Sequence, residues 1–432
     1  MSKYNRNSIT LFGAVGLGTG VMISAGIFAL LGQVAELAGY WFPVIFIIGG
    51  IVTAFSSYSY IKMSQEFPSA GGIGMFLVKA YGKSTVTASA AIFMAASMIL
   101  NQSLVARTFG TYTLQLFNTE QGDYLVPILG VGLLIFAFIV NVSGNTFIQS
   151  FTSIISLLKV AGLVIFAFIA LWITGFELEL APSSNASNLS ISSYIAAVAL
   201  TILSFKGFTT ITNSGAEIVK PTKNIGRAII ISIMISLFVY ILLAWAVSSN
   251  LSISQIIQAK DYALAEAARP VLGQYGVWFT AILAIIATIS GIIASIFAVS
   301  RMLAMLTEME LIPHKHFGMP GHVQTHTLIY TTVVAIILTI LFDLTRIASM
   351  GAILYLVMDI IIHWGVLKHL RKKVDANPII ILLAIMFDSI VLLAFIWVKV
   401  KTDVLIVFVS TGAILFIFLL EHLFLKNISK SN

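Results

Sequence analysis

The ionisable side chains that stand inside apolar runs are where this 432-residue chain could do chemistry: Lys159, Lys206, Asp359, His363 and Asp388. Where such a run is long enough to cross a bilayer, a charge at its centre costs about 2.5–3.5 kcal/mol, so each one needs a reason. Lys159, in Ser156-Leu-Leu-Lys-Val-Ala-Gly162, is a residue type that can load and release a proton when held out of water. It lies about 13 Å into its run at 1.5 Å per residue, so snorkelling to the near face is the competing reading. Lys206 can pair with an acidic ligand, with Glu217 or with another carboxylate, and it would repel a cationic ligand; a structural ion pair fits equally well. Asp359 and His363 are four apart, on one face of a helix. With Asp388 they suit either a proton relay or a hydrogen bond between helices. Arg107, near the end of its run, reads as snorkelling.

Gly16-Leu-Gly-Thr-Gly-Val-Met-Ile-Ser-Ala-Gly-Ile-Phe28 offers backbone chemistry instead. Each glycine weakens a helix by roughly 1 kcal/mol relative to alanine. Irregular backbone survives at mid-membrane only where protein or a cavity lines it. Taken alone, the stretch fits a helix that unwinds locally or a close packing face built on Gly16 and Gly20. A second interruption, Leu203-Ser-Phe-Lys-Gly-Phe-Thr-Thr-Ile-Thr-Asn-Ser-Gly-Ala-Glu217, favours unwinding, because broken helices at matching positions of two halves point to a carrier's binding site. An unwound helix bares N–H groups on one half and carbonyls on the other, which suits a small solute bearing both a carboxylate and an ammonium. Gly26 and the small Ala25 would let backbone approach the carboxylate, and the ring of Phe205 could close over the ligand as a gate. No strand precedes the glycines, which excludes a dinucleotide loop.

The elements that must position these groups are membrane helices. Hydrophobic residues make up 59% of the chain and charged residues 9%, far from the roughly 25% charge of a soluble domain. Apolar runs long enough for a core of about 30 Å recur near 8–32, 41–64, 85–112, 124–142, 150–173, 192–214, 226–248, 275–303, 327–343, 346–367, 378–400 and 403–425. The expectation is an all-α membrane protein of about twelve spans with no separate soluble domain. The net charge of +7 does not indicate nucleic acid: placing the amino terminus in the cytoplasm puts Lys3, Arg6, Lys62, Lys79, Lys83, Lys220, Lys223, Arg227, Arg301, Lys315, Lys368, Arg371, Lys372, Lys373, Lys426 and Lys430 on that side, against Lys260, Arg269, Arg346, Lys399 and Lys401 opposite. That bias predicts both termini in the cytoplasm, with a weaker attraction to anionic lipid. The first run continues through Gln33 and Glu36 without a cleavage pattern and is read as a span, not a signal peptide.

At the two interruptions the sequence resembles the amino acid–polyamine–organocation superfamily of secondary transporters, in particular its bacterial amino acid permeases. Met22 to Phe28 resembles the family's first-helix glycine-serine-glycine motif, and Ser204 to Ile229 its sixth-helix segment, including Glu217, Pro221 and Arg227. Glu66 to Gly82 resembles the loop between helices two and three, and Ala294 to Pro313 the end of helix eight with the loop after it. The resemblance implies a leucine-transporter-type fold: a five-plus-five inverted repeat (residues 8–173 and 192–367) with two extra helices (378–425) and alternating access around a midplane site. It implies carboxylate binding at Ser24, Ala25 and Gly26, and amine binding at carbonyls near Ile23, Phe205 and Gly207, with Lys206 and Thr209 beside them. Lys159 resembles the fifth-helix lysine of sodium-independent permeases, whose ammonium replaces a sodium ion between helices one, five and eight. Ser24 and Ala25 depart from the motif, Gly74 stands where the family has an aromatic, and Lys206 stands where it has a neutral or acidic residue.

Together these readings predict a plasma-membrane amino acid permease, proton-coupled or exchanging, which uses no cofactor. An amine or polyamine carrier and a non-transporting membrane sensor are the alternatives. Enzyme chemistry finds little support. The absence of cysteine excludes disulfides and thiolate metal sites, and His314, His316, His322 and His326 read as a solvated loop, not a metal site.

Overall fold

The computed structural model describes residues 8–69, 71–117, 124–143, 145–177, 189–312 and 323–431. His314, His316 and His322 lie outside the described residues. The helices are α1 (Leu11–Ala38), α2 (Phe42–Glu66), α3 (Gly72–Tyr81), α4 (Thr85–Leu116), α5 (Leu125–Ser143), α6 (Asn145–Ile173), α7 (Ile191–Phe205), α8 (Phe208–Asn213), α9 (Pro221–Asn250), α10 (Ile253–Gln258), α11 (Ala263–Glu308), α12 (Val323–Leu341), α13 (Leu344–Gly365), α14 (Pro378–Thr402) and α15 (Val404–Ser431). Counting α7 with α8 as one interrupted span, and leaving out the short α3 and α10, the described residues form the twelve expected spans.

Helix starts follow local chemistry. Thr10, Ser84, Ser190, Ser252 and Asp343 accept hydrogen bonds from the first-turn backbone as N-caps, and Pro43, Pro221 and Pro378 sit in first turns, where no N–H is missed. α11 is longer than the expected eighth span because the chain is already helical from Ala263; it bends at Gly273, whose φ of 59° favours glycine.

Burial divides the helices. α1 packs against α6, α7, α9 and α11, while α4 packs against α5, α11 and α13. α15 instead leaves Phe408, Leu415, Phe416 and Leu419 exposed, an apolar exterior suited to lipid. One expectation needs correction. His326 is fully buried in the first turn of α12, because that helix begins at Val323 where a solvated loop was expected. Arg107 is partly exposed and donates to the Thr339 carbonyl of α12 at 2.8 Å.

Among the described residues, polar contacts tie elements together at both ends of the bundle. At the end rich in lysine and arginine, Ile9 pairs with the segment after α8, its N–H donating to Glu217 O at 2.9 Å while the Val219 N–H donates to Ile9 O at 2.8 Å. Beside them the buried Arg301 of α11 forms an ion pair with the buried Glu217. At the opposite end Thr345 donates to Gln33 at 2.8 Å and Gln33 donates to Asp261 at 2.7 Å, tying α13 through α1 to the loop before α11. Burial pushes the Asp261 carboxyl above its ordinary range, with Lys260 opposing. Lys260 pairs with Glu36 at 2.9 Å, and this end opens into a cleft of about 560 Å³ that also reaches Asp343, Arg346 and Asp403.

Arg301→Met is expected to cost roughly 3–5 kcal/mol, because it strips a cation from a buried carboxylate, and Arg301→Met with Glu217→Met should recover most of the loss. Thermal unfolding of the purified variants checks this; a double variant as unstable as the single one would show that the pair is not the cause.

Candidate functional site

The backbone of α1 leaves the helical region at one residue, Ile23, with φ −84° and ψ 48°. The break therefore comes just before Ser24-Ala25-Gly26, and the run Gly16, Gly18 and Gly20 remains helical. Gly18 serves packing: a Cβ there would lie 2.6 Å from Ile211 and 2.8 Å from Ser232.

Three successive carbonyls before the break accept side-chain donors. The Gly20 carbonyl takes the Lys159 ammonium at 2.6 Å, Val21 takes the Ser24 hydroxyl at 2.6 Å, and Met22 takes the Tyr240 hydroxyl at 2.6 Å. Buried carbonyls without a partner would cost several kcal/mol each in lipid, so these side chains stabilise the kink. The Ser24 hydroxyl is also wedged against Gly291 of α11, where a Cβ would come within 2.4 Å of it.

The second interruption is a tightening, not an extended segment. α7 ends at Phe205 and α8 begins at Phe208; Lys206 and Gly207 keep right-handed dihedrals, with φ/ψ of −63°/−9° and −54°/−19°. The Thr209 N–H reaches Lys206 O at 3.0 Å and the Thr210 N–H reaches Gly207 O at 3.1 Å, three-residue spacings that leave the regular ladder. The Thr209 hydroxyl also donates to Lys206 O, at 2.8 Å.

The fold presses the two interruptions together. A Cβ on Gly207 would lie 2.6 Å from Met22 N and 3.0 Å from Gly18 O, and a Cβ on Gly26 would lie 2.9 Å from Ser204 O and 2.1 Å from the Tyr240 hydroxyl. Tyr240, from α9, reaches carbonyls of both halves, Met22 and Ser204, the second at 3.1 Å. Phe205 packs on its ring with centroids 4.9 Å apart. Ile23, Ser24, Phe205, Lys206, Gly207 and Thr209 are all buried.

The two lysines have different surroundings. Lys159 lies fully buried where α1, α6 and α11 meet, its ammonium on Gly20 O and 3.4 Å from the Ser290 hydroxyl. That is the junction the resemblance implied, and it excludes snorkelling. Lys206 does not pair with Glu217, which goes to Arg301. Its ammonium donates to Ser97 of α4, at 2.7 Å to the carbonyl and 2.8 Å to the hydroxyl, and lies 5.7 Å from the centre of the Tyr355 ring of α13. The Ser97 hydroxyl passes the link on to Gly351 O at 2.8 Å. Lys206 thus ties the second interruption to α4 and α13. Gly74, on α3, meets Leu306 and Met305 of α11, which fill the space an aromatic would need.

Tyr240, Ser97, Ser290 and Gly291 complete the site and were not predicted from sequence. Each lies in an ordinary apolar run, and nothing in local spacing separates a tyrosine that caps a carbonyl from one that fills a core.

Comparison with known proteins agrees with this geometry. The chain matches the amino acid permease family over residues 9–423. It is similar to the inner membrane transport protein YbaT of Escherichia coli, 27% identical over 90% of this chain and 89% of that one. It is also similar to the serine/threonine exchanger SteT of Bacillus subtilis, 24% identical over 63% of this chain and 61% of that one. The crystal structure of MhsT in complex with L-phenylalanine shares its fold, with a TM-score of 0.63 at 15% identity over 95% of this chain and 98% of that one. The architecture is therefore the leucine-transporter-type bundle with interrupted first and sixth spans. A match that runs through both interruptions and nearly the whole length settles the family: the chain belongs to the amino acid permeases, which are transporters and not enzymes.

Proposed function

We propose that the chain carries amino acids across the cell membrane by alternating access, with residues 8–173 and 192–367 as the two inverted repeats, 378–425 as added helices and both termini cytoplasmic. The observation that carries this reading is the direct contact between the interruptions, Gly207 against Met22 and Gly26 against Ser204. A glycine at each contact lets peptide groups of the two interruptions approach, with the Tyr240 hydroxyl beside them. The N–H groups at Ser24, Ala25 and Gly26 meet the substrate carboxylate, and carbonyls near Ile23, Phe205 and Gly207 meet its amine. Phe205, its ring tilted 49° against that of Tyr240, is the gate, and Thr209 holds the Lys206 carbonyl in place. Lipid surrounds the apolar exterior.

Lys159 is the coupling group. A fixed ammonium between α1, α6 and α11 occupies the place of a bound sodium ion, which supports proton coupling or exchange over sodium symport. The exchanger SteT among the relatives supports the exchange mode. Lys206 selects against cationic solutes, because like charges in a poorly screened site repel strongly.

Three outcomes test the proposal in proteoliposomes. Wild-type protein should accumulate or exchange at least one of the twenty amino acids; folded protein that moves none would defeat it. Lys159→Ala should abolish uptake driven by a pH gradient more than it weakens equilibrium binding, and an unchanged pH dependence would remove its coupling role. Gly207→Ala should lose transport and about 1–3 kcal/mol of stability through overpacking against Met22, and full activity in that variant would separate the second interruption from the site.

A further inference from the structure

Away from the interruptions, the sequence pair Asp359 and His363 of α13 meets Asp388 of α14 in a fully buried cluster. His363 Nε2 lies 3.3 Å from Asp388 Oδ2 and 3.6 Å from Asp359 Oδ1, and the three ligand atoms lie within 4.8 Å of one another. Neither His363 Nε2 nor either oxygen of Asp388 makes a hydrogen bond. Among the described residues, no lysine or arginine forms an ion pair with either carboxylate. Two carboxylates and a neutral imidazole carry two negative charges, which cannot stand uncompensated in an apolar interior. The cluster must therefore take up two positive charges, as two protons or as one divalent ion.

We propose that His363, Asp359 and Asp388 bind one divalent transition-metal cation of the zinc or cobalt type, with the fourth position open. The spacing favours the ion. Ligand atoms at about 2.0–2.2 Å from a tetrahedral metal stand roughly 3.3–3.6 Å apart, and the two measured edges, 3.3 and 3.6 Å, match that separation, with no hydrogen bond formed along either. The carboxylate ligand atoms lie within 4.8 Å of each other, and no hydrogen bond on Asp388 opposes the rotation that would bring them to the same spacing.

The outer partners are those of a metal site. The Ser59 hydroxyl lies 2.9 Å from His363 Nδ1, which fixes the ring and turns Nε2 toward the carboxylates. Ser56 donates to Asp359 Oδ2 at 2.6 Å and Tyr60 donates to Asp359 Oδ1, so α2 orients both ligands of α13. A bound ion would fasten α13 to α14 and hold both on α2. Asp359 lies one helical turn beyond Tyr355, the ring beneath Lys206, so the clamp would set the position of the helix that Lys206 touches.

The full chain tests this after tag removal, treatment with a chelator and dialysis. Substituting His314, His316 and His322 by alanine keeps those histidines from contributing. Titration with Zn²⁺ in a calorimeter should give about one equivalent per chain, and Co²⁺ should give the visible absorption of a tetrahedral site. Asp388→Asn and His363→Gln, which keep side-chain size, should abolish both signals, and Ser59→Ala should weaken affinity roughly 10–100-fold. Folded protein that binds neither ion overturns the proposal, as does binding that survives Asp388→Asn and His363→Gln together. If neither ion binds but pH-dependent steps in thermal stability vanish in Asp388→Asn, the charge is carried by two protons and the metal assignment fails.

Discussion

Inside a bilayer there is no water to take an unpaired peptide group, and this constraint governs the centre of the molecule. α1 departs from helical geometry at Ile23, and Gly20, Val21 and Met22 pass their carbonyls to Lys159, Ser24 and Tyr240. These donors come from α6, from α1 itself and from α9. One kink is thus held by three elements, and movement of any of them bears on the same few carbonyls. Ser24 acts at short range, bonding three residues back on its own helix. The two donors that carry the kink into the tertiary structure are Lys159 and Tyr240.

The second interruption is held differently. Lys206 and Gly207 keep right-handed dihedrals, and the tightened turn satisfies its own carbonyls through Thr209 and Thr210. The Lys206 side chain ties it to Ser97 and through it to Gly351, and Tyr240 bonds the Ser204 carbonyl just before it. The first interruption is therefore bound to α6 and α9, the second to α4, α13 and α9. Where they touch, at Gly207 with Met22 and Gly26 with Ser204, backbone lies close to backbone, and the Tyr240 hydroxyl bonds a carbonyl on each side.

Buried charge is placed with the same economy. Arg301 and Glu217 pair at one end beside the backbone pairing of Ile9, while Gln33, Asp261 and Thr345 join three elements at the other. Among the described residues, Lys159 has two hydrogen-bond partners, the Gly20 carbonyl and the Ser290 hydroxyl, and no ion pair.

Composition and the length of apolar runs were enough to determine a membrane bundle of twelve spans, because hydrocarbon thickness sets helix length whatever the partners. Two interruptions were legible as well, since glycine and hydroxyl residues inside apolar runs are locally expensive wherever they fold. The sequence also pointed to Lys159 as a buried group. It could not say which residue would break, and the structure moved the first break to Ile23 while leaving Gly16, Gly18 and Gly20 in the helix. Nor could it assign partners: Lys206 to Ser97, Glu217 to Arg301 and Tyr240 to Met22 join residues far apart in the chain. Hydropathy and helix propensity act over a few turns, so they survive in a one-dimensional reading. Which donor meets which bared carbonyl depends on how whole helices pack, and only the tertiary structure decided that.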